Sequence, residues 1–157
     1  MPDMLVKLFE LPEVAGALKD LESKGIVVRR AVSPEQHVIL PWVEQRFSKN
    51  WASECACAFA RQPPACFIAT EGGKLVGFAC YDGPYKGYFG PTGVSEDHRG
   101  HGIGKVLLLL CLQALREAGY AYGIIGWAGP AEFYAKTVGA VAIEGSMPPV
   151  YAQLLRA

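Results

Sequence analysis

The sequence predicts a mixed α/β fold of the α+β kind, a mostly antiparallel sheet flanked by helices. Three observations carry this. First, three β-type runs between Cys66 and Val94 are separated only by the short turn signals "EGG" and "GPY", the pattern of an antiparallel meander. Second, "DHRGHGIGKVLLLLCLQAL" (Asp97 to Leu115) sets a glycine-rich turn directly before a strongly apolar helical run. Third, helical periodicity and short apolar runs alternate through the rest of the chain, with no internal repeat and no low-complexity linker. The 157 residues suit a single domain, 1–157, with a core of its own.

The elements follow in order. "MLVKLFEL" (4–11) reads as a strand. In "LPEVAGALKDLESKG", Val14, Leu18 and Leu21 share one helical face and Gly25 supplies the stop. "IVVRRAV" (Ile26 to Val32) is a strand. From Ser33 to Arg61 the pattern is helical and breaks at Pro41, a good first residue for "PWVEQRF"; Asn50 caps "WASECACAFA". The meander strands are Cys66 to Thr70, Lys74 to Asp82 and Lys86 to Val94. The apolar helix after the glycine turn ends near Gly119. "YAYGIIGWAG" is a strand, "PAEFYAKTVG" a short helix, and "AVAIEG" and "VYAQLLRA" close the chain as strands.

Composition narrows the function. About half of the residues are apolar and 19% are charged, so the chain is globular. Fifteen Lys plus Arg balance fifteen Asp plus Glu. A general nucleic-acid or membrane-surface binder would carry a basic excess, so neither partner is expected. The apolar run Val106 to Leu112 is too short to span a bilayer. "MPDMLVKLFELPE" lacks a signal peptide's charged start and apolar middle, so a cytoplasmic location is expected. The five cysteines, Cys55, Cys57, Cys66, Cys80 and Cys111, fit no zinc spacing. They are expected to be reduced and mostly buried, and no metal is expected.

The glycines before the long helix raise the chemical question. Glycine in a helix costs about 1 kcal/mol relative to alanine. A helix start leaves N–H groups unpaired and carries partial positive charge. Bare backbone there lets a bulky anion, usually a pyrophosphate, come close. The nucleotide P-loop does not fit: its first glycine would fall on Arg99, and Val106 stands where Ser or Thr would hold magnesium. The dinucleotide fingerprint does not fit either. Its third glycine would be Lys105, and no acid stands about 20 residues on. The remaining pattern, R-x-x-G-x-G, is met by Arg99-Gly100-His101-Gly102-Ile103-Gly104.

With that turn after a strand and before an apolar helix, and with "EFYAKTVGA" downstream, the chain resembles the GNAT superfamily of acyl-CoA-dependent N-acetyltransferases of bacterial type. The resemblance covers 26–157 and leaves 1–25 as an N-terminal strand–helix extension that could cover a sheet edge or join a homodimer. It implies a sheet whose two central strands splay to admit the donor, acetyl-CoA. "FGPTGV" places Gly90, Pro91 and Gly93 inside a strand, where proline and glycine mark bulges or close backbone approach. By resemblance, the backbone of Thr92, Gly93 and Val94 would bond the pantetheine amides, with the Val94 N–H on the thioester carbonyl. The N–H groups from Gly100 through His101, Gly102, Ile103 and Gly104 to Lys105 would hold the pyrophosphate, and Arg99 and Lys105 would add charge.

Two proton transfers remain. An aliphatic ammonium, with a pKa of about 10.4, must lose a proton before it attacks, and the departing thiolate must gain one. Tyr134, early in the short helix, stands where the family often places its general acid. The central strand "KGYFGPTGV" holds no carboxylate, so the base is sought in Glu54, beside Trp51, or in Asp82 at the hairpin. The acceptor site is expected between the helices at 41–61, the strand before Val94 and the loop "GSMPPVY". Trp42, Phe47, Trp51, Tyr81, Tyr88 and Tyr151 are its candidate walls. These residues suit acetyl transfer to the primary amine of a small molecule. A non-catalytic acyl-CoA sensor would need only the glycine turn. A protein acetyltransferase would need an open groove beside the central strand.

Overall fold

A computed structural model describes residues 1–156. The strands are β1 (Met4–Lys7), β2 (Ile26–Arg30), β3 (Cys66–Glu71), β4 (Lys74–Tyr81), β5 (Tyr88–Val94), β6 (Tyr122–Ile125) and β7 (Val141–Ala142). The helices are α1 (Ala15–Ser23), α2 (Gln36–Arg46), α3 (Lys49–Phe59), α4 (Ile103–Glu117) and α5 (Ala131–Val138). Backbone pairing joins the strands into one sheet in the order β2-β3-β4-β5-β6-β1-β7. Every neighbouring pair is antiparallel except β5 and β6. The β3–β4–β5 meander forms as its turn signals predict.

The two-residue period of β4 sorts the layers. Phe78 turns to one face and meets the rings of Trp42 on α2, Phe47 just after it and Trp51 on α3. Gly77 turns to the other, where Ile103 and Leu107 of α4 stand 3.3 Å from where a Cβ would be. The side chains of Val106, Leu107, Leu112 and Leu115 on α4 are fully buried, so this helix forms much of the core on its face.

Three local expectations are corrected. Pro41 lies inside α2 instead of starting a helix. It is exposed, as is His37, whose carbonyl loses its partner, so water can take that bond while Ile39 and Val43 stay buried on the inner side. Ser48, not Asn50, caps α3; its Oγ accepts the Trp51 N–H at 3.1 Å. The first strand stops at Lys7, and Leu8–Glu10 form a 3-10 turn.

The largest correction concerns "VYAQLLRA". Its described residues form turns, with the Ala152 N–H donating to the Pro149 carbonyl and the Leu154 N–H to that of Tyr151. Ala157 lies outside the described residues. The N-terminal β1 runs between β6 and β7 and pairs with both; it is not at a sheet edge. Met4 and Val6 are buried in that position, whereas Leu154 and Leu155 are exposed. Among the described residues, no helix is long and apolar enough to cross a membrane.

Candidate active site

The site begins where β5 and β6 part. Their parallel pairing covers only Tyr88 with Ile124 and Phe89 with Ile125. β6 then ends, while β5 continues to Val94 against β4. Gly90 takes φ +118°, a conformation open to glycine, and Pro91 has no N–H to offer a neighbouring strand. The Ser95 N–H donates to the Val76 carbonyl on the β4 side at 2.9 Å. Backbone groups alternate sides along a strand, so the N–H groups of Thr92 and Val94 face the gap. The Val94 carbonyl faces the same way and accepts from Arg99 Nε at 3.2 Å.

The glycine turn closes one end of that gap. Gly100 and Gly102 have φ of +82° and +88°, and Gly102 is the N-cap of α4. A Cβ on either would meet nothing within 4 Å, and one on Gly104 would meet only Val94 Cγ2 at 3.9 Å. The glycines are thus required by backbone conformation at two positions, and the space above all three is open. A cavity of about 620 Å³ lies over the turn and reaches Thr92, Gly93, Val94, Phe133 and Tyr134. Arg99, Ile103 and Lys105 also line it. His101 is exposed and lines neither this cavity nor the one beyond it. Open glycines, a helix start and two cations suit a phosphate-bearing ligand.

A second cavity, about 380 Å³, lies on the α3 side. Glu54 lines it together with Trp51, Trp127 and Tyr151. The two cavities share Trp51, Phe89, Thr92, Gly129 and Tyr134, so they meet in the gap between the strands. Tyr134 is 6% exposed, and burial pushes its phenol above the ordinary tyrosine value. Burial likewise raises the Glu54 carboxyl. Asp82 goes elsewhere: its Oδ1 accepts the Gly87 N–H at 2.6 Å, tying the β4–β5 connection, and it lines neither cavity.

The expected aromatic walls divide. Trp51 and Tyr151 line the second cavity. Trp42 packs against Phe47 and Phe78. Phe47 lies over Gly93, where any Cβ would run into its ring. Tyr81 hydrogen-bonds Arg30 on the other face. Tyr88 packs over Gly126. Trp127 was not anticipated. It follows β6 with φ +49°, and its N–H donates to Asp3 Oδ1 at 2.8 Å; its flanking glycine was the available signal. The fold also gathers what the spacing hides: the sulfurs of Cys55, Cys66 and Cys80 lie within 4.8 Å of one another, all buried.

Residues 31–139 match the family model described as the acetyltransferase (GNAT) family. No curated protein matches the chain. Solved structures share the fold. One is a glucosamine N-acetyltransferase region of a fungal multi-domain β-N-acetylglucosaminidase, with TM-score 0.72 and 14% identity over 90% of this chain and 19% of that one. Another is a GCN5-related N-acetyltransferase from Sphaerobacter thermophilus, with TM-score 0.69 and 20% identity over 90% and 48% of the two chains. A third, from Mycobacterium tuberculosis in complex with CoA, has TM-score 0.57 and 24% identity over 80% and 76%. The chain spans about a fifth and a half of the first two. The splayed strands, the glycine turn and a match over most of the sequence agree, and the chain belongs to the acetyltransferase (GNAT) family.

Proposed function

We propose that the chain transfers the acetyl group of acetyl-CoA to the primary amine of a small molecule, by direct attack while both substrates are bound. The observation that carries this reading is the meeting of two cavities in the strand gap. One lies over an open glycine turn, and the other holds a carboxylate. Donor and acceptor can therefore enter from opposite sides and meet beside Thr92 and Tyr134. A module that only sensed acyl-CoA would have no need of the second cavity.

Each residue has a part in this proposal. The N–H groups from Gly100 to Lys105, with Arg99 and Lys105, bind the pyrophosphate. Bound acetyl-CoA supplies an electrophilic thioester carbonyl. The Val94 N–H, which faces the gap, donates to that carbonyl oxygen as charge develops on it. Glu54 takes the proton from the acceptor's ammonium, and its raised pKa makes it a better base than an ordinary surface carboxylate. The amine lone pair forms the new C–N bond, the C–S bond breaks, Tyr134 gives its proton to the departing sulfur, and the second proton lost by the nitrogen restores the phenol. Tyr134 is protonated at neutral pH, as an ordinary tyrosine is, and burial raises its phenol further.

Thermal unfolding with acetyl-CoA, ATP and NAD tests the donor. At 100 times its dissociation constant a ligand adds about 2.7 kcal/mol, so acetyl-CoA should raise Tm by roughly 5–10 °C in a chain of this size. ATP and NAD should not. A comparable shift with ATP and none with acetyl-CoA would refute the reading. Release of free thiol with an amine panel then tests transfer itself.

A further inference from the structure

We infer that the acceptor is a primary monoamine with an apolar, ring-sized body and no anionic group, an arylalkylamine in chemical class. This rests on the acetyl-transfer reading above and narrows its second substrate. The inference starts from the charges around the 380 Å³ cavity. Among the described residues, Glu54 is the only Asp or Glu lining it, and no lysine, arginine or histidine side chain lines it. The Met1 ammonium, at the rim, is turned toward the sulfur of Met147 at 3.6 Å. Asp3 stands behind the wall, buried, holding the Trp127 N–H. Glu54 and Asp3 both act on Tyr151, whose phenol is pushed up first by burial and then by these carboxylates. The field in the cavity therefore favours a cation and opposes a carboxylate or phosphate.

The walls decide the rest. Trp51, Phe89, Trp127, Tyr134 and Tyr151 bring aromatic surface around the single carboxylate. Ring faces attract an ammonium and pack against apolar or aromatic groups. An amino acid acceptor would bring its carboxylate into a cavity with no cationic side chain, its one positive group, the Met1 ammonium, lying exposed at the rim. A diamine would leave its second ammonium without a carboxylate of its own. A sugar amine would bring more hydroxyls than the Asn50 and Thr92 side chains can serve and strand the rest against rings. A cavity of this volume is at the small end of ligand sites, which suits one ring and a short amine arm.

The transfer is balanced within the site. The ammonium gives one proton to Glu54, and its nitrogen takes the acetyl carbon from sulfur. The thiolate takes a proton from Tyr134, and the second proton that the nitrogen sheds on becoming an amide returns to the Tyr134 phenolate. The products are the N-acetylated amine, CoA thiol and one proton released to solvent as the side chains reset.

The experiment compares phenethylamine, phenylalanine, 1,4-diaminobutane and glucosamine, by calorimetric binding in the presence of CoA and by thiol release from acetyl-CoA. Phenethylamine should bind and turn over with kcat/KM on the order of 10²-fold above each of the others, the scale expected when a charge is left unpaired in a partly enclosed site. Trp51→Ala should raise its KM roughly tenfold. Leu154→Lys, which places a cation at the rim, should shift the ratio of phenylalanine to phenethylamine roughly tenfold toward phenylalanine. If phenylalanine, the diamine or the sugar amine is preferred, this inference is overturned while acetyl transfer stands. If acetyl-CoA binds and none of the four amines binds or reacts, the inference is overturned too. If acetyl-CoA does not bind, the acetyl-transfer reading falls first.

Discussion

Gly102 and Gly104 occupy equivalent places in the motif, yet the backbone separates them. Gly102 holds φ +88°, so Gly102→Asp adds backbone strain of about 1–2 kcal/mol to whatever it does to a ligand. Gly104 has no such conformation and open space above it. Gly104→Asp should therefore keep the wild-type fold and lose the Tm gain from acetyl-CoA; an undiminished gain would make the turn purely structural. Tyr134→Phe should bind acetyl-CoA normally and turn over about 10²-fold more slowly. Because burial raises this phenol, the high-pH limb of the wild-type rate profile should lie above pH 10 and vanish in the variant. Unchanged turnover would leave Tyr134 as a packing residue. Glu54 gives a stability test. Its folded pKa is raised, so its favourable contribution is present below the unfolded value of about 4.3 and fades as pH rises through the folded value. Urea unfolding should show Glu54→Gln gaining stability relative to wild type between pH 4 and 7. A pH-independent difference would place the carboxyl in water.

At the scale of elements, the close approach of α4 to β4 aims the helix start at the strand gap. Gly77 permits that approach: a Cβ there would lie 3.3 Å from both Ile103 and Leu107. Gly77→Val should cost about 1–3 kcal/mol in urea unfolding and weaken acetyl-CoA binding, because the turn moves with the helix. Unaltered binding in the destabilised variant would show that the turn is held independently of α4. The long helix, the meander and the short α5 with Gly139 as its left-handed cap were legible in the sequence because their signals are local. The run of α2 through Pro41 was not legible. Its tolerance depends on which side of the helix faces water, and the buried side is set by β4, β5 and α3. The cysteine cluster was hidden for the same reason. Cys66 and Cys80 are cross-strand partners, and Cys55 comes from α3 above them.

At the scale of the molecule, the sheet is completed by its first strand. Val6 is fully buried between β6 and β7, so Val6→Asp should bury an unpaired charge and abolish cooperative unfolding. Leu155 is 97% exposed, and Leu155→Asp should change stability by no more than about 0.5 kcal/mol. The reverse ranking in thermal melts would restore the C-terminal segment to the sheet. The sequence by itself determined most of the element types, the meander, the break at Gly90 and Pro91, and the glycine turn before α4. Each follows from periodicity or from the conformational limits of glycine and proline, which act within a few residues. Only the tertiary structure decided that β1 would lie between β6 and β7, that Asp82 would tie the hairpin, and that Glu54, Thr92, Trp127, Tyr134 and Tyr151 would surround one space. Burial of apolar surface is non-directional; it rewards any apolar strand that fits. The choice between β1 and the C-terminal run, and with it the wall of the 380 Å³ cavity, was therefore made by packing between residues far apart in the chain.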